Sequence, residues 1–332
     1  MWDYFKNHWE ERGRLANYSL DHVGFMAGKR ESRRLMGDLV LNANDAIENR
    51  QFDDVIGHTG WTLDVHHPLG ILSTEGLFTI DTKIPIGQIP YRSLYSRNID
   101  NLLMAGRCAS VTHLALGTVR IEGSCAVTGQ AAGTAAGVAL KHKTSPRGVY
   151  QKHMAELQQL LLKNDQYVPG IPNRDPADLA QGAQVYATSS QNTAENVVNG
   201  IARPTLDGKS NMWESDPKQA LPQSIELTLE KPSKVGAIQC VFDTDLTVSM
   251  PTQRSNRVPE ECVRDYTLEC RVNGKWVRVV RERDNFQRFR RHQFKQVVAD
   301  KVRLTVEASN GAKTARVHEL RVYSDATPLL WG

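Results

Sequence analysis

Three groups of residues have the types and spacing to do chemistry. Asp64, His66 and His67 lie on and just after the alternating stretch Trp-Thr-Leu-Asp-Val-His at 61–66. Alternation puts Asp64 and His66 on one face and His67 on the other. A zinc ion would need a third and fourth ligand at suitable spacing, and the neighbouring residues supply none. An imidazole beside a carboxylate can take a hydroxyl proton; the plainer alternative is a structural pair in which Asp64 orients His66. The second group is Arg30, Arg33 and Arg34, three guanidiniums in five residues with Glu31 between them. They repel unless they meet carboxylates, phosphate or a substrate anion, or stand in a solvated turn. The third is Arg120 with the helix opening at Gly123-Ser124-Cys125, whose unpaired amides and positive dipole end suit an anion. Arg120 could equally form a salt bridge with Glu122. A helix N-terminus lowers a thiol pKa, but Cys125 has only Cys108 near it and no Cys-x-x-Cys occurs, so a small buried residue is the expected role.

The elements that must position these groups are legible in part. Residues 61–66 and 76–82 alternate and are expected as strands. The run 101–107, Asn-Leu-Leu-Met-Ala-Gly-Arg, has the form of a buried strand entering a functional loop. A helix is expected from about 124 to 141, with Gly129, Gly133 and Gly137 on one face. Each glycine costs about 1 kcal/mol relative to alanine, so a closely packed neighbour is expected there. A second, amphipathic helix is expected over 148–162, through Met154, Leu157, Leu160 and Leu161. Residues 164–178 contain three prolines and a glycine and read as a linker. Beyond them the segments 224–229, 235–242, 266–271, 275–280, 301–306 and 317–323 are strand-length and largely alternating, and Asn273-Gly274 is a hairpin signal. So many short strands indicate a sandwich or jelly roll. The expected organisation is an α/β part over 1–165, a linker over 166–179 and an all-β part over 180–325.

Composition narrows the classes. The 332 residues are 40% hydrophobic and 23% charged, a globular balance. No run of about 18 apolar residues occurs, so no membrane-spanning helix is expected. A net charge of +4 from 41 basic and 37 acidic residues is too thin and too evenly spread to argue for nucleic acid. The run 281–292, Arg-Glu-Arg-Asp-Asn-Phe-Gln-Arg-Phe-Arg-Arg-His, interleaves cations with two phenylalanines. Its acids, Glu282 and Asp284, favour a solvated connector over a nucleic-acid stacking surface. Five cysteines at irregular spacing make neither a disulfide framework nor a metal motif. The aromatic, charged start is not the plan of a signal peptide. Compartment is not read from it; a periplasmic or extracellular place would need a signal upstream of Met1.

The segments Gly28-Lys-Arg-Glu-Ser-Arg-Arg-Leu-Met-Gly37, Asp64-Val-His-His67, Ile89-Pro-Tyr-Arg-Ser-Leu94, Asn101-Leu-Leu-Met-Ala-Gly-Arg-Cys-Ala-Ser110 and Gly117-Thr-Val-Arg-Ile-Glu-Gly-Ser-Cys-Ala-Val-Thr-Gly-Gln-Ala-Ala-Gly133 occur in that order. Together they resemble the C-terminal half of the FAD-dependent oxidoreductase family with the RESRR…GR…GQAAG signature, over roughly residues 10–145. The resemblance implies a glutathione-reductase-type flavin domain with an inserted sheet covering the substrate. It implies FAD held by Gly106, Arg107, Ser110, Gly123, Ser124, Cys125 and Gln130. It implies hydride transfer from a CH–OH carbon of a small substrate to flavin, with His66 as base and Arg120 as the cation near the reduced flavin. Arg30, Arg34, His67, Tyr91 and Arg92 are the substrate-binding positions by the same resemblance. A domain of this type opens with Gly-x-Gly-x-x-Gly, whose amides hold the pyrophosphate. None occurs in these 332 residues. The expectation is therefore the family minus its nucleotide-binding part, with a separate N-terminal FAD-binding half as partner and weak FAD binding alone. The rival is a non-catalytic carbohydrate-binding or interaction protein that retains a decayed or truncated flavin domain.

Residues from about 180 to 324 resemble a discoidin or galactose-binding-like jelly roll. The resemblance is carried by Ala187-Thr-Ser-Ser190, Ala194-Glu-Asn-Val-Val-Asn-Gly200, Asn211-Met-Trp213 and Ala315-Arg-Val-His-Glu-Leu-Arg-Val-Tyr323. It implies carbohydrate binding through end loops, hence a sugar or glycan-linked substrate, and a structural calcium at Asn199 and Glu319. Calcium takes six to eight oxygens, so backbone carbonyls would supply most of them.

Overall fold

A computed structural model describes residues 1–26, 31–74, 78–82, 84–205, 208–246 and 257–325. The chain forms two compact units, Met1–Arg33 and Arg34–Gly332. In the first, Tyr4–His8 make a π-helical turn and Arg12–Leu15 a 3-10 turn. Lys6 Nζ donates to the carbonyls of Leu15, Ala16 and Tyr18, closing one turn onto the other. No described residue of this unit is buried.

The second unit begins with α1 (Ala43–Ile47), opened by a capping box between Asn42 and Asp45. Four short strands follow: β1 (Val55–His58), β2 (Leu63–His66), β3 (Phe78–Thr82) and β4 (Gln88–Pro90). β1 pairs with β4 and β2 with β3, both antiparallel. Then come α2 (His113–Val119), α3 (Glu122–Lys141), α4 (Pro146–Lys152) and α5 (Met154–Lys163). Leu41, Ile56, Ile89, Leu94, Leu116, Ala135, Val138, Leu157 and Leu161 are all buried in one core that these elements share.

Three expectations need correction here. The run 101–107 is not a strand: its contacts are a single antiparallel bridge, Tyr95 to Leu103, and a 3-10 turn over Gly106–Cys108. A strand needs a ladder partner along its length, and the flanking amides of Met104 and Ser110 turn instead to the carbonyls of Leu94 and Ser93. The glycine face of α3 is open at its first two positions, since a Cβ at Gly129 or Gly133 would meet nothing within 4 Å, whereas Gly137 is buried. The close approach is on the other side, where Gly57 of β1 lies against Val127. Finally, the helix expected over 148–162 is broken at His153, which leaves helical geometry at φ −132° and ψ 18° between α4 and α5.

The remaining strands are β5 (Gln184–Ala187), β6 (Trp213–Glu214), β7 (Gln223–Phe242), β8 (Val263–Val272), β9 (Lys275–Glu282), β10 (Phe289–Ser309) and β11 (Arg316–Tyr323). The pairs of segments expected as separate strands at 224–229 and 235–242 are one long strand. The register of β7 against β10 shifts near Ala299 and Lys301, so the two strands bend together. Their first and second halves belong to different layers. One runs β5, β7, β10, β8, β9 through residues 223–229; the other runs β6, β11, β7, β10 through residues 235–242. Ile225, Leu227 and Leu304 of one layer share a core with Ile238, Phe242, Val317 and Val322 of the other, which makes an antiparallel sandwich. Trp213 is buried within it, and its indole N–H donates to the Ser189 carbonyl at 2.9 Å.

The Pro-rich run is fastened rather than loose. Asn173 N donates to Gly200 O and Leu179 N to Val322 O at 2.8 and 2.7 Å, and Val168 is fully buried. The basic run 281–292 is not a solvated connector either. Arg288 pairs with Asp165 at 2.9 Å, Arg291 donates to the Asn164 side chain, and Phe289–His292 open β10. Cations there face the C-terminal end of α5, where orphan carbonyls and the dipole favour them.

Candidate functional site

Three elements converge on Asp64. β2 carries Asp64 and His66 on one face, and His66 Nε2 lies 3.4 Å from Asp64 Oδ1. Arg120 caps the C-terminal end of α2, and its Nη2 donates to Asp64 Oδ2 at 3.0 Å and to the Asp64 carbonyl at 3.1 Å. The partner of Arg120 is thus Asp64, not Glu122. Gly117 explains why. A Cβ there would stand 2.8 Å from Asp64 O and 3.0 Å from Asp64 N, so only glycine lets α2 lie directly on the backbone of β2. One turn later the helix delivers Arg120 to the carboxylate. Sequence reasoning missed Gly117, although its place three residues before Arg120 was a usable signal. Gly117→Ala is expected to push α2 off β2 and destabilise the chain by about 1–3 kcal/mol. Urea unfolding measures this, and an unchanged midpoint would remove Gly117 from the account.

The turn before α2 supplies the next groups. Gly106 has φ +62°, a left-handed conformation that favours glycine, and its N–H donates to Thr128 Oγ1 of α3 at 2.9 Å. Thr128 is a second residue that sequence reasoning passed over. Arg107 is half-buried, and its Nε and Nη2 are buried with no hydrogen-bond partner among the described residues, as is the hydroxyl of Ser110. Ile121 at the N-cap of α3 offers no side-chain acceptor, and Gly123 is exposed. The first-turn amides of α3 therefore keep their donor capacity. Ser124 is buried, with its hydroxyl 3.5 Å from Thr118 O. Cys125 is close behind Gly106, burial pushes its thiol up rather than down, and its S–H donates to Arg120 O. Gln130 is exposed and reaches Asn164 O at 3.5 Å.

Other sequence-derived positions lie elsewhere. Arg30 falls outside the described residues. Arg34 lines an open cavity with Leu35, Met36, Val111 and His113. His67 Nδ1 accepts the Leu69 N–H at 3.1 Å. Tyr91 and Arg92 need correction as substrate-pocket residues. Tyr91 is fully buried with its hydroxyl on Pro146 O, and Arg92 is neutralised by Asp53 and Asp54 while its guanidinium stacks 4.9 Å over Tyr150. Asn199 and Glu319 also need correction as a calcium pair. Asn199 exchanges amide hydrogen bonds with Asn211, and its Oδ1 accepts the Ile201 N–H. Glu319 is buried against Arg321 at 2.6 Å. Their side-chain oxygens accept from N–H donors, and the Arg321 guanidinium lies against Glu319.

Residues 1–161 match the family model described as FAD dependent oxidoreductase. This part of the chain is similar to that family. No curated protein matches the chain by sequence. Among solved structures, the family 32 carbohydrate-binding module from Streptococcus pneumoniae EndoD is 21% identical, with 45% of this chain and 99% of that one covered at a TM-score of 0.37. The family 32 module from C. perfringens NanJ, in complex with galactose, is 22% identical, with 44% and 98% covered at 0.34. Chitosan-binding module 1 of a chitosanase/glucanase from Paenibacillus sp. IK-5 is 16% identical, with 44% and 98% covered at 0.34.

The residues of the oxidoreductase part fit one end of FAD. The partnerless buried donors of Arg107 and Ser110 suit an anionic, acceptor-rich ring edge, and so does the uncapped start of α3. The pyrophosphate end has no matching Gly-rich cradle in these 332 residues. No helix among the described residues is long and apolar enough to cross a membrane.

Proposed function

We propose that residues 1–165 are the substrate-facing part of an FAD-dependent oxidoreductase that removes hydride from a CH–OH carbon of a small, carbohydrate-related molecule. Residues 166–179 join it to a glycan-binding sandwich at 180–325. The observation that carries this reading is the placement of Asp64 between His66 and Arg120, whose carbonyl accepts from the Cys125 thiol at the start of α3. FAD, when bound, supplies the two-electron acceptor. His66 takes the hydroxyl proton of the substrate, Asp64 orients the imidazole and stabilises it once charged, and Arg120 balances Asp64. Arg107, Ser110 and the amides of Gly123 and Ser124 hold the anionic edge of the ring system. The glycan reading rests on the motif residues of the sandwich, Trp213 among them. The alternative is a glycan-binding protein without catalysis.

One experiment separates the two. The chain alone is expected to bind FAD weakly and to gain tight binding when co-expressed with a nucleotide-binding half of this family. In that complex Arg120→Met is expected to lower the flavin potential by roughly tens of millivolts, because Asp64 is left as an uncompensated negative charge. Fluorescence titration and a redox titration measure these. Absent FAD binding in every such complex sinks the oxidoreductase reading, and an unchanged potential in Arg120→Met sinks the assigned role of Arg120.

A further inference from the structure

The break between α4 and α5 puts His153 beside the end of α3, and this juxtaposition has no part in the flavin site. His142 is the C-cap of α3, and His153 and Glu156 are one turn apart at the start of α5. Glu156 Oε2 lies 2.7 Å from His142 Nε2 and 3.8 Å from His153 Nδ1, and the available ligand atoms of all three lie within 4.8 Å of one another. The two imidazole rings stack at 3.8 Å with 15° between their planes. Lys141 Nζ holds the other Glu156 oxygen at 2.7 Å.

We infer that His142, His153 and Glu156 form a binding site for a divalent transition metal of the zinc class, one that pins the C-terminal end of α3 to the α4–α5 break. Two imidazole nitrogens and one carboxylate oxygen are the donor set of three-ligand zinc sites whose fourth position is open to water. The same set disfavours calcium and magnesium, which take oxygens. Four-coordinate zinc with bonds of about 2.0–2.1 Å needs its ligand atoms closer than 4.8 Å. The stacked rings must also splay so that both nitrogens aim at one point. His142 is on the surface and can make that turn, whereas Glu156 is already fixed by Lys141 through the oxygen not needed by the ion. The fold thus supplies the ligands in register and leaves one ring to rotate.

Zinc chloride titrated into the full chain by calorimetry in a non-chelating buffer is the test, with the melting temperature followed in parallel. One saturable site is expected, together with a rise in melting temperature, because an ion that binds only the folded chain stabilises it. His142→Gln, His153→Gln and Glu156→Gln are each expected to weaken that site at least tenfold while the zinc-free proteins stay folded by circular dichroism. Lys141→Met leaves the three ligands in place and is expected to bind zinc at least as well. No saturable binding by the parent chain overturns the inference. So does binding of equal strength in all three ligand variants, which would assign the ion to other histidines.

Discussion

Arg321→Met is expected to cost about 3–5 kcal/mol of stability, the range for breaking a buried ion pair from one side. Arg321 and Glu319 are each only 1% exposed, and their pair at 2.6 Å lies where the last strand of the sandwich meets the oxidoreductase part. The other arm of the guanidinium, Nη1, donates to Leu162 O at 3.0 Å, one of the orphan carbonyls at the end of α5. Methionine can fill the space but neutralises nothing. It leaves Glu319 with the Asn173 amide at 3.4 Å and no cation beside it. The double variant Glu319→Gln/Arg321→Met removes both charges and is expected to recover part of the loss. Urea denaturation of the three proteins measures this. If the single variant loses less than about 1 kcal/mol, the pair is not what holds the end of α5 against β11.

The second large effect is a pH dependence centred on Asp178. This residue is 6% exposed, and burial pushes its carboxyl up to about 7, with Glu319 nearby adding to the rise and the Val322 and Ala180 amides opposing it. An acid whose pKa is higher folded than unfolded favours the folded state in its protonated form. Its contribution is therefore greatest below the unfolded pKa, near 3.9, and is lost as pH rises to about 7. Three pH units at about 1.4 kcal/mol each set an upper scale of roughly 4 kcal/mol. Asp178→Asn keeps an oxygen for the two amides and cannot ionise, so it is expected to be more stable than the parent at pH 8. His58 and His292 act with the opposite sign. Burial pushes both down to about 4, so their contribution is intact above about 6.5 and is lost as pH falls toward 4. The two histidines outweigh the single acid, so the parent should lose stability as pH falls from 6.5 toward 4, and Asp178→Asn should lose it about twice as steeply. Parallel profiles of the two proteins would show that Asp178 does not titrate in this range.

Residues whose information is local were legible without the fold. The alternation around Asp64 placed it on the face of His66, and the sandwich strands announced themselves by the same period and by Asn273-Gly274. The RESRR and GQAAG segments pointed to the oxidoreductase family that residues 1–161 match. In the Ala-rich helix, length and composition predicted α3 to within two residues at its start. Each of these rests on a pattern repeated within a few residues, where propensity and side-chain direction act without a distant partner.

Where a residue's role depends on a partner far along the chain, the sequence alone misled. Arg120 had Glu122 two residues away, yet it reaches Asp64, 56 residues earlier, because Gly117 lets a helix lie on a strand backbone. Tyr91 and Arg92 sit in a motif that invited a pocket role, and Asp53, Asp54 and Pro146 engage them instead. The basic run at 281–292 offered no local reason to be anything but solvated, since Asp165 and Asn164 come from a different part of the chain. The sequence by itself determined the Ala-rich helix, the alternation of the sandwich strands and which family the first part resembles, but not the turn at 101–107 or the break at His153. Only the tertiary structure decided which charges meet. An ion pair has no period and no propensity, and it forms wherever packing brings its two ends together.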